Sequence, residues 1–373
     1  MRIAIDARKL HDYGIGTYVR NLVHWLSRQD GDHQYVLLCR RDDVEFVRTL
    51  GPRFSAKVVD AANYSVAEQF AVPFALSRTR VDLFHAPHYV VSPFIACRYV
   101  VTIHDCIHLR FPEYLPNRAA YAYARTMMRL AARRAARVLT VSEASKQDIL
   151  HYLRVPSEKV EVVYNALDER LARTPTPAEL GNVRERFQLG APFILYAGNI
   201  KPHKNIDRLI EAYSILRRRG VEDAQLLIIG DAISKYPNLR RLVHRFQLHQ
   251  HVRFLGFVPD KTLAALYRLA SVFVFPSLYE GFGLPTLEAM AGGAPVITSN
   301  VSSLPEVVGD AAILIDPLDA GAIADAMARV LGDAALRTEL VRRGRERIKV
   351  FSWERSVSRI RELYAEVGSA PRG

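Results

Sequence analysis

The chain has 373 residues, 49% of them hydrophobic, and 51 Lys and Arg against 39 Asp and Glu give it a formal charge of +12. That length exceeds what one hydrophobic core organises, so two domains are expected, each able to bury its own core. Three cysteines without C-x-x-C spacing argue against a disulfide framework, no apolar run approaches membrane-spanning length, and no recognition module accompanies the basic charge, so nucleic acid is not an expected partner.

In chain order, Met1-Arg2-Ile3-Ala4-Ile5-Asp6 is too short an apolar run for a signal peptide and predicts a first strand. Further strands are predicted at 34–39, 56–59, 83–85, 98–103, 137–141 and 160–163, alternating with helices that begin with 17–27. This alternation means a parallel sheet covered on both faces. The first strand-to-helix loop holds Gly14 and Gly16, which let backbone N–H groups approach an anion. Val19 stands where a third glycine would complete a dinucleotide fingerprint, so a plain turn remains the competing reading. Asp30-Gly31-Asp32 spells a metal-binding D-x-D but reads as a solvated polar turn. His104-Asp105 follows the strand at 98–103, at the carboxyl end where ligands bind in open α/β sheets. His85, His88 and His108 lie on neighbouring segments, at spacings that match no familiar zinc pattern.

Between Glu113 and Glu143 there is no acidic residue, and residues 117–137 form a basic helix. At 100° per residue, Arg118, Arg125, Arg129 and Arg133 share a face, with Tyr123, Met127 and Leu130 roughly opposite. Peripheral contact with an anionic membrane and a solvated arginine face both fit this pattern. Residues 168–192 are polar and proline-rich, and the change of domain is placed at 164–177. The expected domains are 1–170, 171–350 and a terminal helix at 351–373. Second-half strands are predicted to begin at Phe193, Gln225, Val252, Val272, Pro295 and Ala312. The tail at 319–367 is nearly all helical, with a break at 351–353.

The densest chemistry lies at 280–288, where Glu280 and Glu288 stand eight residues apart across a glycine-rich turn that opens into a helix. Gly281 and Gly283 permit close approach or positive φ, Pro285 suits the first helical position, and the helix start attracts anions through its dipole and amides. Upstream come Gly198-Asn199-Ile200-Lys201-Pro202-His203-Lys204-Asn205 and Ile229-Gly230-Asp231. Downstream comes the segment 299–311.

Together these motifs resemble glycosyltransferase family 4, with the E-x7-E signature of retaining nucleotide-sugar enzymes. The resemblance implies the GT-B fold, with two Rossmann-like domains facing across a cleft and a terminal helix that crosses back to the first, anchored by Trp353. It implies that Glu288 holds the nucleotide ribose, that Lys204 and the amides of Phe282, Gly283 and Leu284 hold the diphosphate, and that Glu280 and His104 contact the sugar. Gly14, Gly16, Gly198, Asn199 and Gly230 complete the donor-binding set. Where the family often has an arginine, this chain has Asn199, with Lys201 or His203 as possible substitutes. The expected reaction is hexose transfer from a nucleoside-diphosphate sugar, GDP-mannose first, to a growing, lipid-linked glycan of the bacterial envelope. Neither cofactor nor metal is expected, and the expected location is the cytoplasm or the inner face of the membrane. A GT-B epimerase or phosphorylase is the nearer alternative, and a basic nucleic-acid-binding protein the remote one.

Overall fold

The computed structural model describes residues 1–221, 223–231 and 233–369, so positions 370–373 of the expected terminal helix lie outside the described residues. The chain divides into two compact units, one of Met1–Asn165 with the chain from Ser352 on, the other of Ala166–Phe351.

In the first unit, the described residues form seven strands: β1 (Arg2–Asp6), β2 (Gln34–Cys39), β3 (Phe54–Val58), β4 (Leu83–Ala86), β5 (Arg98–Thr102), β6 (Arg137–Thr140) and β7 (Val160–Val162). All pair in parallel, in the order β3-β2-β1-β4-β5-β6-β7. β3 starts earlier than its apolar residues predict, because it is an edge strand whose Ser55 and Ala56 face solvent. Strand order reverses between β1 and β4, and such a switch point opens a crevice at the carboxyl ends of the strands. The loops after β1, β4 and β5 carry Gly14, His88 and His104 to that edge.

The helices of this unit include α1 (Ile15–Arg28), α2 (Glu68–Thr79) and α3 (Arg118–Arg134). α3 corrects the predicted helix face. Ala124, Met127, Met128, Ala131 and Ala132 are its buried residues, while Tyr123 is 41% exposed and Leu130 only partly covered. Small alanines let the helix seat closely on the unit's core, and a wheel that weighs only large apolar residues misses them.

The second unit has six strands among the described residues: β8 (Phe193–Ala197), β9 (Gln225–Ile229), β10 (Val252–Gly256), β11 (Val272–Phe275), β12 (Val296–Ser299) and β13 (Ala312–Ile315). They pair in parallel in the order β10-β9-β8-β11-β12-β13, so the switch point lies between β8 and β11. β8, β11 and β12 are buried at every position, which explains the uninterrupted apolar sequences of β8 and β11; in β12 the buried Thr298 hydroxyl donates to the Phe275 carbonyl at 2.8 Å. The fifth expected start moves from Pro295 to Val296; Pro295 accepts an N–H from Phe273 at 2.8 Å but has none to donate.

The helices of interest here are α4 (Ile206–Arg218), α5 (Asp260–Leu269), α6 (Leu284–Gly292), α7 (Ala320–Gly332) and α8 (Ala334–Arg347). α7 and α8 are separated at Asp333, whose carboxylate accepts the Leu336 N–H at 2.9 Å and caps α8. After the break at 348–352 comes α9 (Trp353–Ser369), which packs within the first unit. Buried Trp353 meets the Tyr18 ring edge-on at 5.9 Å, and the Tyr364 hydroxyl lies 2.5 Å from His85 Nδ1 on β4.

Candidate functional site

Lys204 and Glu280 come from the loops that follow β8 and β11, the two strands flanking the second unit's switch point. Their side chains form an ion pair, Lys204 Nζ to Glu280 Oε1 at 2.5 Å, and are only 10% and 11% exposed. The ammonium also lies 5.2 Å from the centre of the Phe275 ring, so its charge is met by a carboxylate and an aromatic ring together.

Each loop is fixed by its own hydrogen bonds. Asn205 has φ of +58° and donates from Nδ2 to the carbonyls of Pro276 at 3.0 Å and Pro317 at 2.7 Å. That locks the Lys204 loop to the end of β11. On the other side, the Ser302 hydroxyl donates to the Glu280 carbonyl at 2.6 Å. Buried Ser303 donates to the same carbonyl at 3.0 Å and to that of Phe282 at 2.9 Å. The segment 299–311 thus buttresses the Glu280 turn.

Gly283 has φ of +102°, and a Cβ there would lie 2.7 Å from Leu304 Cδ2, so conformation and space both require glycine. α6 begins at Leu284, which places Pro285 second in the helix rather than first. The Thr286 N–H is committed to the Gly283 carbonyl at 3.0 Å. The first turn is therefore less open than the sequence implies, with Gly283 and Leu284 at the positive end of the helix dipole. Phe282 itself is buried and edge-on to Phe351 at 5.4 Å.

Glu288 lies one turn further along α6. The Tyr267 hydroxyl of α5 donates to its Oε2 at 3.1 Å. Although the residue keeps some exposure, protein atoms crowd its carboxyl, and this desolvation raises its pKa to about 7. The Tyr267 hydrogen bond opposes the rise, nearby Asp168 and Asp260 add to it, and Arg170 offsets it. Arg170 grips Asp168 through Nε at 2.9 Å and Nη2 at 2.7 Å, and reaches Asp260 through Nη1 at 3.2 Å. Sequence reading missed this group entirely. Asp168 and Arg170 lie in the polar stretch 168–192, and nothing in the sequence links them to Tyr267 or Glu288.

Gly198 and Gly230 are neighbours: a Cβ on Gly230 would lie 2.4 Å from the Gly198 carbonyl oxygen, so glycine at 230 gives the Gly198 loop its room. Asn199 follows, its carbonyl accepting the Tyr196 hydroxyl at 3.2 Å and its Oδ1 buried without a hydrogen-bond partner among the described residues. Of the two substitutes for the family's arginine, Lys201 is exposed and His203 is buried.

In the first unit, Gly14 precedes α1 with φ of +65°, and a Cβ on Gly16 would lie 2.5 Å from the Leu10 carbonyl oxygen. His104 Nε2 lies 3.1 Å from the Pro87 carbonyl, which fixes the N–H on that nitrogen, and Tyr18 packs edge-on at 4.9 Å. Burial lowers the pKa of His104, partly opposed by Asp105 and the Pro87 carbonyl. The imidazole is therefore neutral near pH 7, with Nδ1 an acceptor for a hydroxyl. His85 is buried between Thr102 Oγ1 at 2.8 Å and Tyr364, and burial brings its pKa down to about 3. Among the described residues, no group of three or more His, Cys, Asp and Glu is arranged to hold a metal ion. Another group unseen in the sequence is Lys9, Tyr64 and His88, with the Tyr64 hydroxyl 3.2 Å from Lys9 Nζ and 3.1 Å from His88 Nε2.

Comparison with known proteins assigns both units. The family model described as Glycosyltransferase Family 4 matches residues 13–171, and that described as Glycosyl transferases group 1 matches residues 182–347. The chain is 36% identical over 293 residues to O-antigen chain mannosyltransferase B of Escherichia coli, covering 78% of this chain and 76% of that one. It is 34% identical over 224 residues to the serotype-specific mannosyltransferase WbdA of Escherichia coli, covering 59% of this chain but only 27% of that longer protein. Among solved structures, the sucrose-phosphate synthase of Thermosynechococcus elongatus superposes with a TM-score of 0.80 over 100% of both chains at 22% identity, a likeness of fold.

Proposed function

The chain belongs to glycosyltransferase family 4, and from that premise we propose that it moves mannose from GDP-mannose to a lipid-linked glycan with retention of anomeric configuration. It is a hexosyltransferase of the GT-B fold, built on two parallel Rossmann-like sheets. Mannose is favoured by the relatives, two of which are mannosyltransferases by name.

The observation that carries the reading is the Lys204–Glu280 pair at the second unit's switch point. Breaking the glycosidic bond builds negative charge on the leaving phosphate oxygen while the sugar becomes oxocarbenium-like. In our reading Lys204 meets that charge, helped by the start of α6, and Glu280 receives the hydroxyls of the sugar. Glu288 holds the ribose. Gly198, Asn199 and Gly230 leave backbone room for the diphosphate; in the first unit, taken by itself, Gly14 and Gly16 offer backbone amides to an anion and His104 offers Nδ1 to a hydroxyl. The bond from the anomeric carbon to phosphate breaks and the bond to the acceptor oxygen forms on the same face. The acceptor's proton passes to the departing phosphate oxygen. No metal is needed, since a lysine and a helix dipole neutralise the phosphates. The nucleotide sugar and lipid-linked acceptor place the reaction in the cytoplasm, at the inner face of the membrane.

The test is incubation with GDP-mannose, UDP-glucose and a short lipid-linked mannoside, followed by mass spectrometry and NMR of the product. Transfer of one hexose from GDP-mannose with the donor's anomeric configuration is expected. An inverted product, or transfer from UDP-glucose alone, would refute the proposal. Isomerised sugar nucleotide without acceptor would indicate an epimerase, and turnover that requires inorganic phosphate a phosphorylase.

A further inference from the structure

α2 is apolar on both sides. Val72, Ala75 and Leu76 face the first unit's core, while Phe70 and Phe74, one turn apart, are 59% and 61% exposed. A surface helix normally carries polar residues outward; one that is apolar all round covers or meets something. Val66, just before it, is 78% exposed, and Phe94 of the loop after β4 is 59% exposed and stacks on Phe70 with ring centres 5.2 Å apart. The loop is tied to α2 by the Ser92 hydroxyl, which donates to the Gln69 carbonyl at 2.6 Å. The patch is thus a built surface, larger than singly scattered exposed side chains.

Its charge is one-sided. The Arg78 guanidinium lies 5.0 Å from the centre of the Phe74 ring, and Arg134 of α3 donates to the Pro93 carbonyl at 2.6 Å, directly beside Phe94. The acidic residue of α2, Glu68, is buried and paired with Arg8 at 2.7 Å, so it does not reach the patch. Arg134 connects the aromatic patch to the exposed arginines of α3, a helix without acidic residues.

We propose that Val66, Phe70, Phe74 and Phe94 form a docking surface for an anionic phospholipid bilayer, with the rings entering the headgroup–acyl boundary and Arg78 and Arg134 meeting lipid phosphates. Aromatic rings rimmed by arginine suit that boundary, because one end of the surface is apolar and the other pairs with anionic headgroups. The inference deepens the lipid-linked acceptor of the proposed function by naming the face that meets the membrane. It shifts the contact from the arginine stripe of α3 alone to α2 and the loop holding Phe94.

The experiment is co-sedimentation of the full chain with vesicles of phosphatidylcholine containing about one third phosphatidylglycerol, and with phosphatidylcholine alone. The vesicles contain no donor or acceptor, so the result is independent of the sugar chemistry. Wild type is expected to bind the anionic vesicles. Phe70→Ser/Phe74→Ser/Phe94→Ser is expected to partition about tenfold less or weaker, and Arg78→Glu/Arg134→Glu to lose the preference for anionic lipid. Melting points and transfer to a water-soluble acceptor, read on the same samples, show that the variants are folded and that the chemistry is separate. Absence of wild-type binding, or undiminished binding by the folded triple phenylalanine variant, overturns the proposal. A wild-type dimer in analytical ultracentrifugation that the triple variant abolishes also overturns it, making a second copy the occupant.

Discussion

The Tyr267 hydroxyl donates to the Glu288 carboxylate across 3.1 Å, joining α5 to α6 at the most strongly shifted carboxyl group of the site. The contact depends on Gly292, where a Cβ would lie 2.4 Å from Tyr267 Cβ. Any larger residue there would push α5 away and take the hydroxyl with it.

Because desolvation raises the Glu288 pKa to about 7, GDP and GDP-mannose binding is predicted to depend on pH. The ionised carboxylate accepts hydroxyls best, so affinity rises with pH through about 7 and falls roughly tenfold per unit below it. Stability runs the other way. Between the ordinary glutamic acid value of 4.5 and about 7, the folded state holds a proton that the unfolded chain has released. This contribution is full below 4.5 and is lost as pH rises towards 7. Titration calorimetry across this range should show the slope in wild type, a flat profile in Glu288→Gln, and a profile moved to higher pH in Tyr267→Phe. A flat wild-type profile would sink the assignment.

Lys204→Ala is predicted to lower turnover by about 10²-fold, the cost of losing one preorganised donor to developing charge. It also leaves Glu280 largely buried without its cation. The single variant should therefore melt lower than Lys204→Ala/Glu280→Ala, in which neither charge is stranded. Steady-state kinetics tests the first statement and thermal melting the second. Turnover close to wild type would remove Lys204 from the chemistry.

Much of this architecture was legible in the sequence. Fully buried strands such as β8 and β11 read as unbroken apolar runs, and the residues after them, where glycine and proline cluster, hold the Lys204 and Glu280 loops. Edge strand β3 was read short because its outward residues carry no apolar signal. Asp168, Arg170, Asp260 and Tyr267 were not legible as a group, because only tertiary packing brings the start of the second unit and α5 to Glu288. The two-sided apolarity of α2 escaped for a related reason: helical periodicity identifies a buried face by contrast, and this helix has almost none.

Gly283→Ala tests the turn itself. A methyl group there meets Leu304 Cδ2 at 2.7 Å on a backbone with φ of +102°. Strain of this kind costs on the order of 1–3 kcal/mol. Relief requires the turn to move away from Leu304, and donor affinity should fall along with the melting point. Gly51→Ala is the control: its φ is +101°, close to that of Gly283, but a Cβ there meets nothing within 4 Å. It should cost less stability than Gly283→Ala. Equal losses would mean that conformation alone, and not the approach of Leu304, makes glycine necessary at 283.

Turnover is predicted to survive EDTA, although Asp30-Gly31-Asp32 spells D-x-D. The segment follows α1 in an exposed turn, and the Asp30 carbonyl accepts Arg361 Nη2 of α9 at 2.6 Å. A D-x-D that holds diphosphate through a divalent ion needs its carboxylates turned to the strand ends, where the phosphates sit. This turn instead lies after the helix, next to Gln34 at the start of β2, and so at the amino-terminal edge of the sheet. Asp30→Asn/Asp32→Asn should therefore keep turnover within about twofold of wild type, as expected for surface substitutions. Activity lost in EDTA and restored by magnesium or manganese would show a metal requirement, and its loss in the double asparagine variant would locate the ion at this turn.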